Sequence, residues 1–262
     1  MKPLSFFIPL AAIAIVACSE SNTGPSASLA ARDGKAAPPP VTASGSLTND
    51  MFSFDDGTFT ASDGGTFTVD DLNPGGFGAA APPLAAVYNA SANKFIGRLD
   101  NHKARLIVPN GGSTYTITYD LYIIGSWDGN GKQSGKQYGV DLWENSIACT
   151  PNGQAVKTLL STTFSNQKTV QQSYPDNYGN GGSKAGLGSF GQDALGFKND
   201  PTSHTPQFES YGDTWYKMSF SGTNPCGAGN PLYLLWSVPN ATLQSNYDES
   251  WGVDNVHIMT DS

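Results

Sequence analysis

Charge is what this chain has least of. Only 14% of its 262 residues are Asp, Glu, Lys or Arg, and 14 basic side chains face 22 acidic ones. With no basic stripe to neutralise phosphates, nucleic acid is ruled out as the expected partner. A basic helix that could lie on a membrane is missing too. Histidine is scarce: His102, His204 and His257 stand far apart, with no His-x-x-x-His. Gly-x-Ser-x-Gly does not occur, which removes the usual nucleophile elbow. Ser91-x-x-Lys94 and Ser165-x-x-Lys168 lack the Lys-Thr-Gly and Ser-Asp-Asn companions that would give them meaning. A glycosidase needs two carboxylates about 5–10 Å apart. Beyond residue 50 the only glutamates are Glu144, Glu209 and Glu249, and they form no Glu-x-Asp-x-x-Glu run. These absences lean against an enzyme.

Long hydrophobic runs are also rare. One exists, from Leu4 to Ala17, behind the single charge of Lys2. At about fourteen residues it is short of the ~20 a spanning helix needs, and it reads as an export signal. It ends in Ile15-Val16-Ala17-Cys18, which resembles the lipobox of bacterial lipoproteins. The expectation is cleavage before Cys18 and a lipid on that cysteine; the alternative is an ordinary signal in which Cys18 is accidental. One myristoyl chain anchors only marginally, so the resemblance implies a diacyl or triacyl Cys18. Ser19, where Asp would mark inner-membrane retention, tilts the expected location to the outer membrane or surface of a bacterial envelope. Residues 18–50 are Ser, Ala, Gly, Pro, Asn and Thr, with Pro38-Pro39-Pro40 among them. That composition reads as a flexible tether, or as one unrecognised strand. The division is therefore 1–17 signal, 18–50 lipidated tether, 51–262 folded domain.

Cysteine is nearly absent from that domain. Cys149 and Cys226 stand in turn-like ACTPNG and NPCGAG. An even pair in an exported domain favours a disulfide, the alternative being two free thiols.

What the domain has is alternation, with little helical periodicity. Tyr115, Ile117, Tyr119, Leu121 and Ile123 share one face of a strand, opposite Thr114, Thr116, Thr118 and Asp120, until Tyr122 and Ile124 make both faces apolar. Shorter runs recur at 66–70, 103–108, 138–143, 157–164, 215–220, 231–238 and 251–259, separated by NPGG, PNGG, DGNG and TPNG turns. Eight or more strands without helices predict an all-β, antiparallel two-sheet sandwich of jelly-roll type. Residues 172–206 break the pattern. A connection that long is usually functional, disordered or hiding a strand; a strand is expected near 194–198, and Gly-rich 179–191 reads as a mobile loop.

Five phrases fall in order: FIGRLDN at 95–101, DLYIIGSWDG at 120–129, TTFSN at 162–166, QSYP at 172–175 and DESWGVDNV at 248–256. Together they resemble secreted bacterial β-sandwich proteins often seen with PEP-CTERM-type sorting tails. The resemblance covers roughly 90–260. It implies a single jelly-roll domain at the surface and no particular reaction. Residues 51–80 do not match it, and here a lipobox stands in for the sorting helix.

Two constellations invite a ligand. Asp128 lies in a glycine turn that exposes carbonyls, Asp141 lies one strand on, and Asp254 lies in the closing run. Calcium wants several such oxygens, although Lys132 at the fifth position speaks against an EF-hand. Jelly-roll carbohydrate-binding domains, which this domain resembles, hold structural calcium in a comparable place. Asp128, Asp141 and Asp254 are therefore the candidate calcium ligands. The alternative has Asp254 and Asn255 pinning backbone while Asp248 and Glu249 stay solvated. Of the aromatics, Trp127 and Trp251 read as structural, and Tyr174, Tyr178 and Tyr211 as a binding rim. The reading is a surface-anchored, non-catalytic binding or adhesion module for a glycan or surface protein. The alternative is a polysaccharide hydrolase on the same fold, which fold alone does not exclude.

Overall fold

The structure, a computed structural model, describes residues 49–52, 66–71, 87–90, 93–133, 136–137, 139–151, 153–193, 195, 212–240, 242–244 and 248–261. All fall in one compact unit, 40–262. The signal, Cys18, most of the tether, Tyr211 and all of 194–198 except Leu195 lie outside these residues. No described helix is long and apolar enough to cross a membrane.

The domain is all-β, an antiparallel two-sheet sandwich. The first sheet runs β11 (Gly191–Gln192), β12 (Asp213–Thr223), β6 (Thr114–Gly125), β14 (Glu249–Thr260), β4 (Asn93–Leu99) and β3 (Val87–Ala90), with β1 (Asn49–Phe52) also on β14. The second runs β10 (Lys157–Thr163), β9 (Leu142–Ala148), β13 (Asn230–Ser237), β5 (His102–Gly111) and β2 (Thr66–Asp71). A short hairpin, β7 (Lys132–Gln133) with β8 (Lys136–Gln137), stands apart.

β6 follows its sequence pattern. Tyr115, Ile117, Tyr119, Leu121 and Ile123 are all buried in the core between the sheets. Tyr122 and Ile124 are buried on the other face, with Phe95, Leu195 and the flank of Trp215. That is why alternation stops there. Trp127, Trp143, Trp236 and Trp251 fill the inner layer. Trp143 meets Trp251 and Phe164 edge-on, with centroids 6.4 and 5.9 Å apart, a geometry the ring quadrupoles favour.

One expected strand, 138–143, is displaced: β9 starts at Leu142. Asp141 ends the preceding turn instead, its carboxylate accepting the Asp128 N–H. The two cysteines form the expected disulfide. It joins the end of β9 to the turn between β12 and β13, where Asn224 accepts the Cys226 N–H at 2.8 Å and donates to Gly112 and Gly227 carbonyls. Its 77-residue separation corresponds to about 4 kcal/mol of unfolded-state entropy.

The Gly-rich stretch has a defined path, fixed by one buried side chain. The Gln172 amide nitrogen donates to Tyr174 and Leu187 carbonyls, while its oxygen accepts N–H groups of Ser165 and Gly186. Backbone bonds between Gln172 and Ser183 complete the clamp.

Candidate metal centre

The end of β6 and the start of β14 are forced together by Gly125. Its φ is +87°, and a Cβ there would collide with the Asp248 carbonyl, so only glycine fits. Ser126 donates its N–H to that carbonyl at 2.8 Å and its hydroxyl to the Asp248 carboxylate. The chain then turns through Asp128 and Gly129 (φ +55°). Gly129 O accepts the Asp141 N–H at 3.3 Å while Asp141 accepts the Asp128 N–H. The two aspartates are thus locked face to face across the sheets, one following β6 and the other preceding β9.

Glu249, the first residue of β14, joins them. One carboxylate oxygen from each of Asp128, Asp141 and Glu249 lies within 4.8 Å of the other two. Asp248 stands beside them, bonded to Ser126. All four are buried, at 1–6% exposure. Among the described residues no Lys, Arg or His forms an ion pair with Asp128, Asp141 or Glu249. What compensation exists is neutral: the Gln167 amide donates to Asp128 and to Ser126 O, and the Gln244 N–H donates to Glu249 Oε2 at 3.0 Å. Glu249 Oε1 is buried with no hydrogen-bond partner, an arrangement that costs about 1–3 kcal/mol or more.

The electrostatics follow. Burial pushes the Asp128 carboxyl up to about 6, against the Gln167 bond, with Asp248 adding repulsion. Asp141 is pushed higher, by burial first and then by Asp128 and Asp248. Glu249 is pushed up most, by burial, then Asp141, then Asp248 and Asp128. Asp248 is raised by burial, less the Ser126 bond. Burial and mutual repulsion thus favour the protonated form of each carboxyl.

Two expectations need correction. Asp254 is not part of the cluster. Five strand residues from Glu249, it is roughly 17 Å along β14 and on the opposite face. It bonds Tyr122 Oη at 3.4 Å and accepts the Asn255 N–H at 2.7 Å. It pins a bulge in which Asn255 adopts φ +48°, while Asn255 reaches Asp120 at 2.8 Å. Nor does Asp248 or Glu249 stay solvated. Tyr174, expected on a binding rim, is half-buried. It packs on Phe164 and Tyr216, with centroids 5.1 and 5.0 Å away, and Gly188 lies against its ring. Tyr178 is exposed, and Tyr211 lies outside the described residues.

Sequence reasoning missed the most exposed aromatic among the described residues. Phe190, 64% exposed, meets Trp215 edge-on at 4.8 Å. Lys217 Nζ sits 4.8 Å over both rings.

No protein-family model matches the chain, and no curated protein matches it in sequence. A solved structure similar to it is a cleaved adhesin domain of Lys-gingipain from Porphyromonas gingivalis, at 11% identity, covering 83% of this chain and 100% of that one, with a TM-score of 0.36. At that score and identity the similarity assigns no function to this chain.

Proposed function

We propose that this chain is an exported, lipid-anchored β-sandwich that binds an extracellular glycan without transforming it. The observation that carries the reading is the Phe190–Trp215 platform on the outer face of the first sheet, with the Lys217 ammonium above it. Phe190, 64% exposed, offers an aromatic ring to stack on a sugar, next to the Lys217 ammonium that covers part of both rings and pairs with Asp120 at 3.4 Å. Among the described residues, the clustered carboxylates Asp128, Asp141 and Glu249 are buried, at 1–4% exposure. The disulfide fits an oxidising, extracytoplasmic setting.

A glycan-array screen of the purified chain tests the binding. At least one glycan class should bind, and Phe190→Ala should weaken it by up to about tenfold, the ~0.5–1.5 kcal/mol of an aromatic contact. Equal binding by the variant would remove the platform, and release of sugar fragments would favour the hydrolase. Anchoring is tested separately. Cys18→Ala should abolish labelling by a fatty-acid probe; unchanged labelling and fractionation would refute the lipobox.

A further inference from the structure

Three buried carboxylates converge from both sheets with no cation among the described side chains. Asp128 is supplied by the turn after β6, Asp141 by the turn into β9, and Glu249 by the first residue of β14. Their company is also incomplete. Glu249 Oε1 is an acceptor buried without any donor, whereas native structures pair nearly all buried polar atoms.

We propose that Asp128, Asp141 and Glu249, with Asp248 beside them, bind a calcium ion that cross-links the two sheets at this end of the sandwich. The donor set is all oxygen, which suits a hard divalent cation and offers nothing to select zinc or copper. Calcium holds its ligands at roughly 2.3–2.6 Å, so oxygens on one ion lie within about 5 Å of each other; the three here meet that limit. Several carboxylates and a flexible glycine turn suit calcium better than the strict octahedron of magnesium. The ion satisfies Glu249 Oε1 and cancels the repulsion that no side chain offsets. This site stands whether or not the Phe190 face binds glycan.

The test uses the full chain, stripped with EDTA and then given millimolar calcium. At a hundredfold excess over the dissociation constant, the melting temperature should rise by roughly 5–10 °C. Calorimetric titration should show saturable binding at one site, with magnesium at least tenfold weaker. Glu249→Gln preserves shape and removes one charge. It should raise the melting temperature in EDTA and cut the calcium-induced rise by more than half. An unchanged melt together with no binding heat in the unmodified chain would overturn the proposal, however the variant folds. A full calcium response in Glu249→Gln would overturn it as well, because the ion would then bind elsewhere.

Discussion

Replacing Trp251 with alanine should cost the domain about 3–5 kcal/mol, the range for truncating a large core aromatic. Trp251 sits on β14, the strand between β6 and β4 at the centre of the first sheet. It is fully buried, packs edge-on against Trp143, and donates its indole N–H to the Asp100 carbonyl at 2.8 Å. Alanine would open a large cavity between the sheets and orphan that carbonyl. Trp251→Phe keeps much of the packing and loses the donor, so about 1–3 kcal/mol is expected. A domain has only ~5–15 kcal/mol in total, which places the alanine variant near the edge of folding. Urea unfolding measures both, with Phe190→Ala as the exposed control. If Trp251→Ala were no more costly than that control, the core role of the closing strand would be wrong.

The same residue shows how the five phrases fit together in the fold. Trp251 bonds Asp100 of FIGRLDN, and Trp127 of the IIGSWDG phrase bonds Ser250 O at 2.9 Å. Asn166 of TTFSN donates to Ile123 and Gly125 carbonyls at the end of β6. Gln172 of QSYP accepts from Ser165. In this fold each of these phrases pins another's backbone. They describe a scaffold, which is why they point to a fold and leave the ligand open.

Much of that scaffold was legible. Alternation located β6 because one face is buried and the other partly wet, and the cysteines announced their pairing by standing alone. The carboxylate cluster was half legible. Asp128 stood out in a glycine turn and Asp141 one strand on, but Asp254 was chosen for its neighbourhood in sequence. Parity gave the better choice: Glu249, Trp251 and Val253 alternate on one face of β14, and the two apolar members mark it as the inner one. Asp254 has the opposite parity. Gln172 gave no such signal. A polar side chain that organises a loop through four hydrogen bonds leaves no periodicity. Phe190 was hidden for a related reason. A lone aromatic in glycine-rich sequence does not reveal that Trp215 and Lys217, on another strand, will meet it.

In EDTA, stability should fall as pH rises from about 4.5 to 7.5. The sign follows from the protons held. In the unfolded chain the aspartates titrate near pH 3.9. In the fold, burial and mutual repulsion raise Asp128 to about 6 and Asp141 to about 7, with Glu249 raised further. Between those limits the folded chain binds more protons than the unfolded one, so raising the pH favours unfolding. The stabilisation is complete below pH 4 or so and is lost as pH climbs through the folded values. For Asp128 and Asp141 together the loss is on the order of 2–4 kcal/mol, the pair being coupled and so less than additive. Millimolar calcium should flatten the decline, because the ion replaces the protons and binds best once they have left. Asp141→Asn should flatten it too, without calcium, since an amide can still accept the Asp128 N–H and carries no charge. Melts across the pH series read all three conditions. A melting temperature that holds level or climbs toward neutral pH in EDTA would mean that the carboxylates ionise freely in the fold, and that the cluster is neither as dry nor as crowded as its geometry requires.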